Sequence, residues 1–303
     1  MVIELETRMD LYSRVAEETS RTVIARYSTS FGLASRLLRA STRVHISNLY
    51  ALVRLADEIV DGVAAEAGLS TKAAGELLDN LEEETEQALK SGYSTNLIVH
   101  AFARSARQVG ISAQLTRPFF SSMRMDLTKK KHTQESFDLY VYGSAEVVGL
   151  MCLQAFLEGE IVSASERKIL VRGARALGSA FQKVNFLRDF GADLQALGRS
   201  YFPGVLESNF DEKTKNRLVD DIERDLSLSA ASLPLLPARA RPAVALAHLL
   251  FQDLGARIRA TPAHTLQTSR IRVPLLGKLA LAIRALRGQV SASSNISGKE
   301  FRG

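Results

Sequence analysis

The 303-residue sequence has no tryptophan, a single cysteine and few prolines in its first two thirds. The one cysteine, Cys152, excludes an internal disulfide and is typical of a reducing compartment. Its apolar neighbourhood, GLMCLQAF, predicts a small buried residue and not a nucleophile. Six of the seven prolines lie beyond residue 200, so the first 200 residues contain almost nothing that breaks long helices.

Strand-like alternation with hairpin turns is also missing, and apolar residues instead recur at three- and four-residue spacing. This pattern predicts helices near 8–26, 41–61, 70–90, 95–109, 112–128, 136–157, 164–197, 214–231, 240–260 and 275–287. Ser163 and Glu166 predict a capping box at the start of one of them. The sequence therefore predicts an all-α domain over residues 1–287, followed by a disordered tail, 288–303.

The first residues, MVIELETRMD, are acidic where a signal peptide needs a basic and then an apolar region. We therefore expect no secretion and a cytoplasmic protein. The run 139–157 is long enough to cross a bilayer but carries Glu146 near its middle, which would cost a few kcal/mol there. A buried helix inside a soluble protein is the better interpretation.

The net charge of +6 favours an anionic partner, and charge alone allows nucleic acid, an acidic membrane surface or a phosphorylated substrate. The longest lysine run, KKK at 129–131, is too short for a nucleic-acid surface, so we expect no nucleic acid. The five histidines are scattered and have no zinc-ligand spacing.

Two helices carry carboxylates within otherwise apolar sequence. In the first, Asp57 and Asp61 lie one turn apart with Arg54 before them; in the second, Asp189 and Asp193 follow Arg188. A lone D-x-x-x-D is weak evidence, because spaced acids commonly face solvent. Two such motifs, each with an arginine and apolar flanks, favour a shared site instead.

Carboxylates about 6 Å apart repel by roughly 3 kcal/mol at an effective dielectric near 20, so four of them in a cleft need cations. Carboxylate, water and phosphate oxygens are hard ligands that suit Mg²⁺. Neighbouring arginines indicate an anion at the same place, most simply a diphosphate bridged by the metal.

Four stretches in this order carry a family resemblance: STSFGLASRLL (28–38), YALVRLADEIVD (50–61), YVYGSAEVVGLM (140–151) and NFLRDFGADLQALGRSYFP (185–203). Together they resemble the squalene/phytoene synthases from about residue 20 to 290. The segment RIRVPLLGKLALAIRAL (270–286) is most similar to the bacterial phytoene synthase branch. The resemblance implies a single-domain isoprenoid-synthase helical bundle around a deep central cavity.

The resemblance also implies roles for individual residues. Asp57, Asp61, Asp189 and Asp193 would hold Mg²⁺, or alternatively Mn²⁺, against the diphosphates, and Arg54 and Arg188 would neutralise these. The residues implied to bind substrate are Ser28, Ser30 and Phe31 in a flap, Tyr50, Tyr140, Gln182 and Asn185 at the mouth, Val148, Gly149, Leu177 and Phe181 in the cavity, and Arg199 and Tyr201 on the diphosphate side.

The implied reaction is the head-to-head condensation of two geranylgeranyl diphosphates, through prephytoene diphosphate, to phytoene in carotenoid biosynthesis. No nicotinamide cofactor is expected. The implied partners are prenyl diphosphates and neighbouring carotenoid-pathway enzymes. Because the substrate tails and the product would be apolar and the chain is basic, we also expect a peripheral contact with the inner surface of the cell membrane.

Three alternatives have to be weighed against this interpretation. A squalene- or dehydrosqualene-type synthase would take the fifteen-carbon farnesyl diphosphate, and chain length is not readable from the sequence. A head-to-tail elongase would show D-D-x-x-D motifs, whereas this chain has D-E-I-V-D and D-F-G-A-D. A non-catalytic factor of the same fold would lose the aspartates, and all four are present. Glu146, Lys183 and His264 depart from the family pattern and bear on pocket shape more than on reaction class.

Overall fold

The computed structural model describes residues 7–192 and 200–290. Its helices are α1 Arg8–Tyr27, α2 Ser30–Ser35, α3 Ala40–Val60, α4 Val63–Glu66, α5 Thr71–Ser91, α6 Leu97–Val109, α7 Ala113–Thr128, α8 Gln134–Val141, α9 Val147–Phe156, α10 Ala164–Arg188, α11 Phe190–Ala192, α12 Glu212–Ser232, α13 Arg241–Ala260, α14 Ala263–Leu266 and α15 Leu275–Leu286. No β-strand occurs among these residues, and the predicted all-α fold is confirmed.

Two large cores hold the bundle together. The first joins α3, α5, α6, α7 and α9, and the second joins α8, α10, α12, α13 and α14. In α3 the buried residues Ile46, Leu49, Leu52, Ala56 and Val60 recur every three or four positions, so one face enters the core. Arg54 and Asp57 lie on a neighbouring face of the same helix.

Helix α10, which packs along α12, begins at the predicted residue but ends earlier than predicted. The predicted capping box is confirmed: Glu166 N donates to Ser163 Oγ at 3.2 Å, and Ser163 N donates to Glu166 Oε2 at 2.9 Å. The predicted helix 164–197 is not continuous, because α10 ends at Arg188 and the short helix α11 follows it; positions 193–197 of the prediction lie outside the described residues. A Cβ at Gly191, in α11, would lie 2.0 Å from the carbonyl oxygen of Gln267, so only a glycine lets α11 approach the backbone of Gln267 this closely.

The predicted helix 136–157 is one rod, Gln134–Phe156, interrupted by a π-helical turn, Tyr142–Glu146. Ser122 Oγ of α7 donates to the carbonyl oxygen of Tyr140 at 3.2 Å, at the point where the regular ladder gives way to the π turn. The rod is apolar and long enough to cross a membrane. Half of its most apolar stretch is buried, and the rod packs on α7 and α10, as a core helix does.

Candidate active site

A cavity of about 570 Å³, open to solvent on one side, is bordered by α2, α3, the π-helical turn, α9, α10, α12 and α13. Apolar side chains such as Leu153, Leu170 and Leu233 line most of it. Leu170 and Arg188 both line the cavity and lie 18 residues apart on α10, which corresponds to about 27 Å. The cavity therefore follows α10 from an apolar end to a polar end.

Most of the residues that the resemblance implied to bind substrate line this cavity. They are Ser28, Phe31, Tyr50, Val148, Gly149, Leu177, Phe181, Gln182 and Asn185, together with Arg54 and Arg188. Arg199 and the side chain of Ser30 lie outside the described residues. Tyr140 and Tyr201 are described but are not among the lining residues.

Asp57 lies near the end of α3, and Asp61 caps that helix by donating its backbone N–H to the Asp57 carbonyl at 2.8 Å. Burial raises the pKa of Asp57 to about 8, and the nearby charges of Asp61, Asp126 and Glu58 add to the rise against the lowering effect of Arg54. A carboxyl group in this position holds its proton at neutral pH unless a cation offsets the repulsion.

Asp126 of α7 is the member of this cluster that the sequence reasoning missed. It is 6% exposed, and the phenol of Tyr140 donates to its Oδ2 at 2.8 Å. Tyr201 donates to Oδ1 at 3.3 Å and stacks on Phe186 with ring centroids 4.0 Å apart. Tyr140 and Tyr201 therefore position Asp126 in the structure. A signal existed, because position 126 continues the buried face of α7 formed by Thr116, Phe119 and Met123.

Tyr140 stays protonated in this arrangement. Its burial and the adjacent Asp126 carboxylate raise the pKa of the phenol well above its usual value. The hydroxyl group is therefore a permanent hydrogen-bond donor to Asp126. This contact reaches from α8 to α7 and fixes the carboxylate that influences Asp57.

Asp189, at the end of α10, is held by two arginines. Arg188 Nε donates to its Oδ1 at 3.0 Å and Arg188 Nη2 to its Oδ2, while Arg270 Nε lies 2.7 Å from Oδ1. Arg270 precedes α15 and lines the cavity, although the sequence reasoning assigned it no role. Only tertiary packing brings it to Asp189. Asp193 lies outside the described residues.

Arg54 faces the cavity from α3. Its Nε donates to Glu58 Oε1 at 2.6 Å, and its guanidinium carbon lies 4.5 Å from the ring centroid of Tyr27. With Arg188 and Arg270, it places three guanidinium groups at the polar end. Asn185 Oδ1 is buried there without a hydrogen-bond partner in the described residues, and such an atom is costly unless a ligand satisfies it.

Gly149 is required by packing as well as by its place in the cavity wall. A Cβ at this position would lie 2.4 Å from the carbonyl oxygen of Ala174, where α9 meets α10. We expect Gly149→Ala to force the helices apart and to lower the free energy of unfolding by about 1–3 kcal/mol. Thermal melting checks this.

Gly255→Ala is the matched control, because a Cβ there meets nothing within 4 Å in the middle of α13. This control should be neutral or stabilise the protein by up to about 1 kcal/mol. A Gly149→Ala variant that melts like the wild type would show that α9 and α10 can move apart at no cost in stability. Gly149 would then matter only for ligand binding.

The three departures from the family pattern, Glu146, Lys183 and His264, are absent from the lining of the cavity. Glu146 forms an ion pair with Arg175 at 2.6 Å, Lys183 pairs with Asp221 and Asp225 of α12, and His264 is exposed. Cys152 is buried in the wall, and burial raises the pKa of its thiol to about 12, which leaves it unreactive.

Within residues 7–192 and 200–290, no three carboxylate, histidine or cysteine side chains meet closely enough to form a closed metal site. The donors instead stand in two groups, Asp57 with Asp61 and Asp189 by itself. Their chemistry fits a hard cation. All are oxygen donors, and burial and the neighbouring carboxylates disfavour the ionised form of Asp57, which a bound cation would stabilise.

The model of the family described as squalene/phytoene synthase matches residues 24–277. The chain belongs to this family. The chain is 28% identical over 257 residues to a phytoene synthase of Pseudescherichia vulneris, covering 78% of this chain and 80% of that protein. It is 33% identical over 184 residues to a chloroplastic phytoene synthase of Zea mays, covering 60% of this chain and 41% of the maize protein.

Solved structures agree on the fold. A dehydrosqualene synthase in complex with a ligand matches with a TM-score of 0.74 at 21% identity, over 92% of this chain and 98% of that one. A squalene synthase from Alicyclobacillus acidocaldarius matches with a TM-score of 0.70 at 22% identity, over 82% and 95%. The family and its relatives support a prenyltransferase-type enzyme with the isoprenoid-synthase fold.

Proposed function

We propose that this enzyme is a phytoene synthase, which joins two geranylgeranyl diphosphates head to head and releases diphosphate. The observation that carries the proposal is the cavity itself, an apolar channel along about 27 Å of α10 with three arginines at one end. A prenyl diphosphate has the same division into a long apolar tail and an anionic head. The bacterial and plant relatives named phytoene synthase support the choice within the family.

The arginines bind the anionic head. Arg54, Arg188 and Arg270 each present a planar fork of donors, which matches phosphate oxygens in pairs. In the structure Glu58 pairs with Arg54, and Asp189 pairs with Arg188 and Arg270. A bound diphosphate would compete with these carboxylates for the guanidinium groups. The unpartnered Oδ1 of Asn185 lies at the same end and can accept a hydrogen bond from an ordered water or orient a bound cation.

The carboxylates provide oxygen ligands for metal. Asp57, Asp61 and Asp189 would hold Mg²⁺, or Mn²⁺ in its place, and the sequence adds Asp193 beyond the described residues. When bound, the metal neutralises the diphosphate as it departs. Asp126 accepts hydrogen bonds from Tyr140 and Tyr201 and lies close enough to Asp57 for its charge to raise the pKa of that carboxyl group. It would therefore add negative charge beside the metal ligands.

In the first half-reaction the C1–O bond of one substrate breaks, and its electron pair leaves with the diphosphate. The double bond of the second substrate attacks the allylic cation, and loss of a proton closes the cyclopropane of prephytoene diphosphate. In the second half-reaction that diphosphate leaves, the carbon skeleton rearranges and a proton is lost to give phytoene. Leucine and phenylalanine walls such as Leu177 and Phe181 exclude water that would capture the cations.

Incubation with geranylgeranyl or farnesyl diphosphate, each with Mg²⁺ and each with and without NADPH, tests the proposal. The expected product is phytoene from the twenty-carbon substrate, with no change when NADPH is present. Five extra buried carbons are worth about 4 kcal/mol at roughly 0.8 per carbon, so a cavity that fits the longer tail should discriminate strongly. A thirty-carbon hydrocarbon as the main product would replace the proposal with a squalene-type synthase.

Removal of divalent cations is expected to abolish turnover. Without a cation, Asp57 and its neighbours repel one another and the departing diphosphate loses its main neutralising charge. The measurement is hydrocarbon formation after exhaustive EDTA treatment, then after adding back Mg²⁺ or Mn²⁺. Full turnover in EDTA would contradict a metal-dependent ionisation.

A further inference from the structure

Helix α15 turns its larger apolar side chains outward. Leu275 is 71% exposed, Leu276 81% and Leu286 61%, and Leu279 and Ile283 are about half exposed. The side that packs on the bundle contributes only Leu281 and Ala285 to the buried core. This is the reverse of an ordinary surface helix, whose apolar stripe faces the core.

These five exposed residues form one continuous surface, the α15 patch: Leu275, Leu276, Leu279, Ile283 and Leu286. At 100° per residue they occupy an arc of only about 100° on the helix. Soluble monomers rarely expose contiguous apolar surface of this kind without a partner.

The charge around the α15 patch identifies the kind of partner. No aspartate or glutamate occurs anywhere from residue 254 to 299, whereas the segment that contains α15 carries Arg272, Lys278, Arg284 and Arg287. Arg284 and Arg287 are exposed and flank the patch. An amphipathic helix with an aliphatic face and basic flanks suits an anionic lipid surface, into which the aliphatic side chains insert while the cations meet the head groups.

The α15 patch also borders the polar end of the cavity. Lys278 Nζ donates to Thr29 Oγ1 at 3.1 Å, and Thr29 lines the cavity, as does Arg270 just before α15. A bilayer that met this helix would therefore lie next to the opening through which a substrate tail must pass.

We propose that the α15 patch docks this enzyme on an anionic bilayer and sets the cavity opening against the membrane surface. The purpose of that docking rests on the proposed function: without it, the apolar prenyl tails and the hydrocarbon product would have to pass through water between the membrane and the cavity. The docking itself rests on the exposure and charge of α15. It is a surface contact of one helix and requires no membrane-spanning segment.

Flotation of the full chain with vesicles, measured without substrate, tests the proposal. We expect binding to vesicles of phosphatidylcholine mixed with phosphatidylglycerol, weaker binding at high salt and little binding to phosphatidylcholine alone. Leu276→Ser with Ile283→Ser should weaken binding about tenfold or more, because two inserted aliphatic groups are lost. Arg284→Gln with Arg287→Gln should weaken binding to the anionic vesicles selectively.

Each pair of changes has a matched control elsewhere on the surface. Leu77→Ser with Ile161→Ser removes two exposed aliphatic residues from other places, and Arg167→Gln with Arg172→Gln removes the same charge from α10. Both controls should bind vesicles like the wild type. Turnover of detergent-dispersed substrate should be unchanged in all four variants, so a failure of docking is distinguishable from a failure of the proposed function.

Three outcomes would overturn the proposal: no flotation of the wild type, wild-type flotation of the Leu276→Ser/Ile283→Ser variant, or equal loss in its control. Light scattering identifies the occupant if lipid is excluded. A dimer that dissociates on Leu276→Ser/Ile283→Ser would assign the α15 patch to a second copy, and a monomer without vesicle binding would leave the patch with neither a lipid nor a second copy as its partner.

Discussion

Asp57→Asn and Asp189→Asn are each expected to lower the rate of the first ionisation by about 10²–10³-fold or more. In the proposed reaction either change would remove a charged oxygen ligand, so the cation that neutralises the departing diphosphate would bind more weakly and the transition state would lose its stabilisation. Conversion of geranylgeranyl diphosphate measures the first half-reaction, and supplied prephytoene diphosphate measures the second. Asp220→Asn on the exposed side of α12 is the control and should turn over normally.

The double variant separates a shared cluster from two independent sites. With one cluster, Asp57→Asn combined with Asp189→Asn should be little slower than either single variant, because the first change has already disabled the site. Losses that multiply would indicate two sites that act separately. First-step turnover retained in either single variant would refute the shared cluster.

Stability gives a readout of the same cluster that does not depend on activity. The pKa of Asp57 is about 8 in the folded protein, against an ordinary value of 3.8, because burial and the nearby Asp61 favour the neutral form. The native state therefore binds more protons than the unfolded state between those values, and the metal-free protein should lose stability as pH rises through this window. Asp57→Asn should flatten that dependence, and Mg²⁺ should raise the melting temperature of the wild type more than that of the variant.

Arg188→Lys is the change with the second-largest expected effect, a loss of about 10²-fold in turnover with little change in melting temperature. Arg188 lines the cavity and makes a two-donor contact with the Asp189 carboxylate. It can offer the same two-donor contact to a diphosphate, and a lysine ammonium cannot. The charge is kept, so the fold is not expected to suffer. Steady-state rates, with thermal melting of the same samples, provide the measurement.

Arg175→Lys is the matched control, because Arg175 pairs with Glu146 outside the cavity and rests on the ring of Tyr142. It should retain full turnover. Near-normal rates in Arg188→Lys would mean that this arginine serves only to hold Asp189, a role that Arg270 can share through its own contacts with the same carboxylate.

Local sequence was sufficient for much of the fold. Apolar spacing located the long helices within a few residues, and Ser163 with Glu166 marked the start of α10, because both signals act between residues less than two turns apart. The end of α10 at Arg188 was not predicted, because the apolar spacing continues past it. The close approach of Gly191 in α11 to the backbone of Gln267, 76 positions further along the chain, is a tertiary contact that no local pattern reveals.

Part of the candidate site could be anticipated in the same way. The spacing of Arg54, Asp57 and Asp61, and the adjacency of Arg188 and Asp189, are visible in a single helix each, and they singled these residues out. Asp126 and Arg270 were not singled out, because each stands alone in its own segment. Their proximity to Asp57 and Asp189 exists only after α7 and the segment before α15 have packed.

The sequence by itself determined the helices and the two acid-arginine motifs, because helical periodicity and neighbouring charges are properties of short segments. The tertiary structure decided what each helix face meets. It turned Tyr140 and Tyr201 toward Asp126, paired Lys183 with α12, and left the aliphatic face of α15 outward beside the cavity. An apolar helical face shows the same residue spacing in the sequence whether it packs in a core or stays exposed to a lipid surface. Only the packed arrangement distinguishes the two cases.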